Sequence, residues 1–381
     1  MNRTLLRVRS WIPARHKNDR SVLDDIASWY PVIDLCIQIC GYGPHSYYPE
    51  ICSTLDNESR PMHHICLFLS FSFLTATLSA HDGPPVPEPK NLEDFMGAFR
   101  PRGWKLEQTQ IVSRKIGDKL YVFNGAGGNM AVSIGDDGVL VVDDQFPVLM
   151  PKIKAEIARL GGNGIDFAIN THWHFDHAEG NLALGPAGTW LVAQANSREM
   201  MKQDHIINLV TSSYEQKAYP ESAWPDITFE NAMHFHFNGE QVDLMHFGAA
   251  HTTGDTAVIF RGHNAVHLGD VYNNAGYPFI DAGNGGHFGG LIKFCTKTLK
   301  QIDAKTIVIP GHGAVSDYQG LADYIEMLQT IRKRMMVLIR DGATLAEVYD
   351  AKVTEEWDEK KGDPKGFINR AYMSLTHRVV E

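Results

Sequence analysis

The stretch THWHFDH, Thr171–His177, follows the apolar run IDFAIN and decides how the rest of the sequence is interpreted. Imidazole and carboxylate groups are the usual protein ligands of zinc and related transition metals. In an extended chain the side chains of His172, His174 and Asp176 point to the same side, whereas His177 breaks this alternation. The stretch therefore predicts a metal-binding loop at the end of a strand, with a turn at His177 that presents its side chain to a second metal.

Further ligands have to come from other parts of the chain, because four groups on one short loop cannot complete two coordination shells. Three candidates each end a predicted strand in a glycine-containing loop: His251 in AAHTTGD, Asp270 in NAVHLGD and His312 in TIVIPGHG. Glycine lets the backbone approach a ligand closely, and loops of this kind often carry function. Asp270 is the candidate for bridging two cations, because a carboxylate has two oxygens.

The remaining pattern alternates β-rich runs with helical segments. Strands are predicted in KLYVFNG, NMAVSIG, GVLVVDD, IDFAIN, GTWLVAQ, QVDLMHF, GDTAVIF, NAVHLGD and TIVIP. Helices are predicted at residues 147–162, at 196–203 with Asn196 as the cap, at 291–302 and at 319–340, and residues 205–235 are expected to be irregular. Hairpins mixed with helical crossovers favour an α/β layered fold, with sheets inside and helices outside.

In this order the motifs resemble those of the metallo-β-lactamase fold superfamily. The resemblance rests on Asp143 in VLVVDD, the loop 172–177, His251, Asp270 and His312, and it spans about residues 115–315. It implies a four-layer αββα sandwich with a two-metal site at one edge of the two sheets. It also implies the roles of the residues: His172, His174 and His251 for the first metal, Asp176, His177 and His312 for the second, Asp270 as the bridge and Asp143 as a support behind the ligands.

The implied ligand set contains nitrogen and oxygen but no sulfur, which suits two Zn²⁺ ions and also tolerates Fe or Mn. Two such ions ~3.5–4 Å apart lower the pKa of a shared water to near 7. The expected activity is hydrolysis of an ester, lactone, thioester or cyclic amide by a metal-bridging hydroxide. The expected catalytic residues are Asp176, which orients the nucleophile, and Asp270.

The aspartate at position 270 helps to distinguish between the branches of this superfamily. The familiar β-lactamases of this fold have Cys or Ser there, so the sequence is more similar to the glyoxalase II and lactonase branch. One alternative is a divergent enzyme that hydrolyses β-lactams. Another alternative is a persulfide dioxygenase, which would hold a single iron through His172, His251 and Asp270.

Other polar and aromatic residues are predicted to have lesser roles. Tyr272, Tyr277 and Phe279 are candidates for a substrate lip, Trp224 for part of a lid and His287 for the wall of the cleft. The other histidines of the domain that lie in or near predicted strands are expected to be structural: His234, His236, His246, His263 and His267.

The chain is predicted to have four segments: an N-terminal extension of doubtful significance (1–61), a signal peptide (62–80), a linker (81–105) and the catalytic domain (106–381). The apolar run 65–78 is shorter than the ~20 residues of a membrane span and fits the core of a secretory signal, which predicts export to the periplasm or beyond. Cleavage near Ala80 would leave Cys295 as the only cysteine. The formal net charge of -10 disfavours nucleic acid as a partner and leaves a small-molecule substrate.

Overall fold

The structure, a computed structural model, describes residues 106–376. The predicted extension, signal peptide and linker lie outside the described residues, so these three assignments and the export that follows from them remain predictions. Within the described range no helix is both long enough and apolar enough to cross a lipid bilayer.

The first sheet has seven strands, with an antiparallel meander at one end and parallel pairs at the other. In the order of their pairing they are β1 (Val112–Gly117), β2 (Leu120–Asn124), β3 (Met130–Gly135), β4 (Gly138–Val142), β5 (Phe167–Ile169), β6 (Trp190–Gln194) and β9 (Ile227–Phe229). Parallel pairing of β4, β5, β6 and β9 requires crossovers, and each of the three contains at least one helix.

The second sheet has six strands, and all of its pairs are antiparallel except that between β13 and β14. Its strands are β10 (Ala232–Phe237), β11 (Glu240–Met245), β12 (Ala257–Phe260), β13 (Ala265–His267), β14 (Ile307–Ile309) and β15 (Ser316–Asp317). A separate two-stranded hairpin is formed by β7 (His205–Asn208) and β8 (Ser213–Gln216).

Nine α-helices accompany the strands in the described part of the chain. They are α1 (Met150–Arg159), α2 (Phe175–Ala178), α3 (Asn181–Leu184), α4 (Ala195–Met201), α5 (Phe288–Leu299), α6 (Tyr318–Arg340), α7 (Leu345–Asp350), α8 (Glu355–Lys361) and α9 (Lys365–Thr376). Short 3-10 turns lie at Leu106–Gln108, Pro147–Leu149, Glu221–Ala223, Gly269–Val271 and Ala282–Asn284.

Three apolar clusters define four layers. The inner faces of the two sheets pack together, with Val142 and Val192 from the first sheet and Leu244 and Phe260 from the second in one buried cluster. The outer face of the first sheet packs on α1, and the outer face of the second packs on α5, α6 and α9. The predicted αββα sandwich is therefore confirmed.

The predicted strands and the four predicted helices are present, with ends that differ by a few residues. The prediction of an irregular segment at 205–235 is wrong, because this segment contains β7, β8, β9 and the start of β10. Asn196 is not the cap of α4: the side chain of Gln194 accepts a hydrogen bond from the backbone N–H of Asn196, which makes Gln194 the cap. The sequence did not predict β1, β15 or the helices α2, α3 and α7–α9.

Candidate metal centre

The predicted ligands converge at one edge of the sandwich because each follows the end of a strand. His172 and His174 follow β5, and His251 follows β11. Asp270 follows β13, and His312 follows β14. The two sheets present these strand ends to a common point. The carboxyl ends of neighbouring parallel strands meet at one edge, which explains how β13 and β14 bring Asp270 and His312 together.

The chain turns earlier in the motif than the sequence predicted. Helix α2 begins at Phe175, so both Asp176 and His177 lie in this helix. The alternation of an extended chain therefore applies to His172 and His174 but not to Asp176. The helical turn directs Asp176 and His177 toward His312.

His172, His174 and His251 form the first trio, and all three side chains are buried. His251 Nε2 lies 2.9 Å from His174 Nδ1. The ring of His172 is nearly perpendicular to the rings of both partners, with centroids 4.9 Å from His174 and 4.7 Å from His251. His172 Nε2 is buried and has no hydrogen-bond partner among the described residues.

The outer nitrogen of each ring in this trio is engaged by an acceptor. His174 Nε2 donates to Asp281 Oδ2 at 2.9 Å, and His251 Nδ1 donates to the carbonyl oxygen of Phe279 at 2.8 Å. His172 Nδ1 donates to Thr171 Oγ1 at 3.0 Å, because that hydroxyl uses its own hydrogen to reach Asp143. The inner nitrogens are therefore left with lone pairs that face one another, an arrangement that requires a cation or a proton between them.

Asp176, His177 and His312 form the second trio. His312 Nε2 lies 3.1 Å from Asp176 Oδ2 and 3.3 Å from His177 Nε2. His177 Nδ1 donates to Asp143 Oδ2 at 2.7 Å, which again leaves Nε2 directed inward. Behind the trio Asp143 is fully buried, and it also accepts hydrogen bonds from the backbone N–H and the hydroxyl of Thr171.

The carboxylate of Asp270 lies between the two trios. Its Oδ1 is 3.1 Å from His177 Nε2 and 3.4 Å from His312 Nε2, and its Oδ2 is 3.7 Å from His251 Nε2. His172, His177 and Asp270 also form a three-residue group that links the two trios. One oxygen of Asp270 thus faces each trio.

The electrostatics differ between the trios. Burial, together with the charges of neighbouring histidines, holds the pKa of His172 well below its usual value, so its ring is neutral. Burial also opposes protonation of His312, but the carboxylates of Asp270 and Asp176 outweigh it and raise the pKa of His312 to about 10. The same carboxylates raise the pKa of His177. The second trio therefore favours positive charge, which either protons or a cation can supply.

Two glycines leave the space that the centre needs. A Cβ atom on Gly128 would lie 2.0 Å from His177 Cε1. A Cβ atom on Gly311 would lie 2.0 Å from Asp270 Oδ1. The loop after β2 and the loop after β14 can therefore approach the ligands only because these positions lack a side chain.

The residues predicted to contact substrate are not all near this centre. Tyr272 is buried, and its hydroxyl donates to Ser316 Oγ at 2.9 Å, in the cluster that contains Tyr324. Trp224 donates through Nε1 to the carbonyl oxygen of Tyr219, and the side chains of Arg198 and Lys202 lie over its ring. His287 caps α5 through Gly290 N. Of the predicted residues, Tyr277 and Phe279 line a cleft beside the centre, which is described below.

The remaining predicted structural histidines bind groups outside the centre. His267 is buried and donates to the carbonyl oxygen of Asn129, and His246 donates to that of Asp255. His263 interacts with Glu240, and His234 with Asp243. His236 is exposed on β10. Asp281 and Thr171 are the residues of the site that sequence reasoning missed.

Residues 125–312 match the sequence profile of the metallo-beta-lactamase superfamily. The chain contains a metallo-β-lactamase superfamily domain. Members of this superfamily are generally metal-dependent hydrolases that act on small molecules. The match ends at His312, so α6–α9 lie beyond it.

Solved metallo-β-lactamases are similar to this chain at low sequence identity. The crystal structure of DIM-1 metallo-beta-lactamase is 17% identical, and the alignment covers 58% of this chain and 99% of that one with a TM-score of 0.49. The metallo-beta-lactamase from Pontibacter korlensis is 16% identical over 58% of this chain and 99% of that one, with a TM-score of 0.48.

The donor set of this superfamily domain fits metal ions. In each trio the ligand atoms all lie within 4.8 Å of one another. Ligand atoms on one tetrahedral Zn²⁺, with Zn–N bonds of about 2.0–2.1 Å, are about 3.3 Å apart, close to the separations found here. The buried Nε2 of His172, which has no other partner among the described residues, is the atom that a metal in the first trio would satisfy.

Proposed function

We propose that the catalytic domain, residues 106–381, is a dinuclear metal-dependent hydrolase of the glyoxalase II and lactonase-like branch. The observation that carries this proposal is the position of Asp270, whose two oxygens face different trios. A single-metal site needs no carboxylate directed at two groups of ligands. Zn²⁺ is the expected metal, because a set of imidazole and carboxylate groups without a thiolate suits it.

In the proposed centre His172 Nε2, His174 Nδ1 and His251 Nε2 would hold the first metal, and Asp176, His177 Nε2 and His312 Nε2 would hold the second. When bound, the two metals supply a nucleophile at neutral pH and polarise the carbonyl that it attacks. The chain fixes the ligand atoms in advance, because Asp281, Thr171, Asp143 and the carbonyl oxygen of Phe279 each determine which ring nitrogen faces inward.

Asp176 and Asp270 are the proposed catalytic residues. The carboxylate of Asp176 belongs to the second trio, and that of Asp270 lies between the trios. From these positions they would accept hydrogen bonds from an attacking water and orient its lone pair toward the substrate carbonyl. Burial opposes ionisation of Asp270, but the charges of His312 and His177 outweigh it and hold the pKa of this carboxyl well below its usual value, so the carboxylate is ionised. An ionised acceptor is what this role requires.

The proposed substrate is a small ester, lactone, thioester or cyclic amide, and a β-lactam is one member of the last class. The export that the N-terminal segment predicts would bring the enzyme into contact with β-lactams. The centre supports the shared chemistry of all four classes, which is attack on a carbonyl carbon, and it leaves their order of preference to experiment.

The test combines metal analysis with hydrolysis assays on the purified mature protein. We expect two metal ions per chain, hydrolysis of at least one of a p-nitrophenyl ester, a lactone, a thioester and a β-lactam, and loss of that activity on chelation. His172→Ala should bind less metal and lose activity. His236→Ala is the matched control, because His236 is exposed on β10 and should leave both properties unchanged.

Two results would contradict the proposal. Activity that survives both chelation and His172→Ala would exclude the metal centre as the catalyst. One iron per chain, with oxygen consumption in the presence of a persulfide, would instead indicate the dioxygenase alternative with His172, His251 and Asp270 as its ligands.

A further inference from the structure

A cleft of about 220 Å³ lies beside the metal centre. Its lining includes Phe279, whose ring centroid is 5.7 Å from that of His251 and 6.1 Å from that of His174. The carbonyl oxygen of the same residue accepts the hydrogen bond from His251 Nδ1. Phe279 is thus shared between the first trio and the cleft.

The far wall of the cleft is apolar and held in place by its own contacts. The rings of Tyr277 and Phe367 stack with centroids 5.2 Å apart and an interplanar angle of 1°. The Tyr277 hydroxyl donates to Asp358 Oδ1 at 2.7 Å, which directs it toward α8. Because the wall is formed before any ligand arrives, binding an apolar group there requires little ordering of the protein.

The opposite wall comes from the hairpin β7–β8, which the sequence did not predict. Leu209 follows β7 and lines the cleft. Asn284 donates through Nδ2 to the carbonyl oxygen of Ile206 at 3.0 Å and also to both oxygens of Asp281, the residue that orients His174. The hairpin is therefore fixed to the same loop that supports the metal centre.

The charge of the cleft excludes one class of ligand. Among the described residues that line it, Asp363 is the only Asp or Glu, and it accepts a hydrogen bond from the backbone N–H of Lys365. None of these lining residues is Lys or Arg. A carboxylate in this cleft would lose hydration without gaining a cationic partner and would face Asp363, which is unfavourable on both counts.

We infer that this cleft binds an uncharged apolar arm, alkyl or aryl, of the substrate whose carbonyl group reaches the metal centre. This inference rests on the proposed function and adds the substrate class. The volume is below the ~300–1,000 Å³ of pockets for drug-sized ligands, so one short arm fills it. Asp363, Gly366 and Phe367 follow the residues that match the superfamily, so the C-terminal part of this chain contributes one side of the cleft.

A series of p-nitrophenyl esters tests the inference on the metal-loaded enzyme. We expect kcat/KM to rise about tenfold or more from the acetate to the hexanoate, because added methylene groups are buried in the cleft. The mono-p-nitrophenyl ester of adipate has the same chain with a terminal carboxylate, and its kcat/KM should be at least about tenfold below that of the hexanoate. Asp363→Asn should reduce this difference in kcat/KM, because it removes the carboxylate that repels the terminal carboxylate of the substrate.

Gly366→Trp is the variant that blocks the cleft without disturbing the fold. A Cβ atom at Gly366 would meet no other atom within 4 Å, and the residue lies in the first turn of α9. We expect the hexanoate-to-acetate ratio of this variant to fall to about one. Val337→Trp is the control, because Val337 is an exposed apolar residue of α6, and its ratio should equal that of the parent protein.

Saturation-transfer NMR with benzyl alcohol and benzoate measures binding to the cleft independently of catalysis. We expect transfer to benzyl alcohol in the parent protein, none to benzoate, and loss of the benzyl alcohol signal in Gly366→Trp.

Metal-dependent ester hydrolysis with no chain-length preference would overturn the inference and leave the proposed function intact. Absence of all hydrolysis would count against the proposed function, and the benzyl alcohol signal would still decide whether the cleft binds an apolar group. Equal signals in the parent protein and Gly366→Trp would overturn the inference.

Discussion

At the scale of single residues, the centre depends on the acceptors behind its histidines. A neutral imidazole has one N–H donor and one nitrogen with a lone pair. The group that accepts the hydrogen bond from the N–H determines which nitrogen is left to face a metal. Asp281 accepts the hydrogen bond from His174 Nε2, and Asp143 accepts that from His177 Nδ1. These contacts select Nδ1 in the first ring and Nε2 in the second.

Asp281→Asn tests this role. The amide retains the size of the carboxylate but is a weaker acceptor, and it has one oxygen for the two donors His174 and Asn284. We expect metal affinity to fall by about 10–100-fold with the fold retained. Competition with a chromophoric chelator measures the affinity. Asp341→Asn, on an exposed residue after α6, is the control, and equal affinities of the two variants would contradict the role of Asp281.

The sequence predicted the ligands but not the residues behind them, for a physical reason. Ligands follow strand ends, and hydrophobic runs that predict strands also locate the residues after them. Asp281 lies in a glycine-rich loop with no such pattern, and nothing local relates it to His174, which is 107 positions away. The contact to His251 is made by a backbone carbonyl of Phe279, and no side-chain type specifies that group.

At the scale of elements, the strands with strong apolar runs were predicted and the weakly patterned ones were not. β4 is almost entirely buried, and its run GVLVV is unambiguous. β7 and β8 have four residues each and mix buried with polar positions, so their pairing is defined by each other and by the loop at Asn284 rather than by local pattern. Tertiary contacts of this kind override local propensity.

Helix α1 provides a prediction on pH and stability. Glu156 binds Arg159 within the helix and accepts a hydrogen bond from Ser113 Oγ of β1. The hydrogen bond from Arg159, aided by that from Ser113, lowers the pKa of Glu156 from 4.5 to about 2. The stabilisation is therefore complete above pH 4.5 and is lost as the pH falls toward 2.

Glu156→Gln should lower the free energy of unfolding by about 1 kcal/mol at pH 7, a value kept small because Arg159 is exposed. The difference from the parent protein should shrink as the pH falls below 4.5. Urea denaturation at several pH values measures it. Glu355→Gln, at an exposed pair with Lys352, is the control and should show almost no difference. A deficit that stays constant down to pH 3 would contradict the assigned role.

At the scale of the whole molecule, the candidate metal centre draws its residues from both halves of the sandwich. Asp143 and the loop after β5 belong to the first sheet, whereas His251, Asp270 and His312 follow strands of the second. The inner cluster already holds the sheets together through apolar contacts. A cation bound by ligands from both sheets adds a second connection at the edge.

Removal of the metal should therefore destabilise this edge more than the core. With zinc at 100 times its Kd, binding to one site contributes about 2.7 kcal/mol to the free energy of unfolding, and a chelator removes it. Hydrogen exchange should then accelerate in residues 171–178, 249–252 and 310–313, because these loops lose the ion that neutralises their facing lone pairs and carboxylates. Strands β3 and β12 should keep their protection, since their side chains are buried in the apolar clusters. Acceleration spread evenly over both groups of peptides, or none in either, would show that the metal does not connect the two sheets.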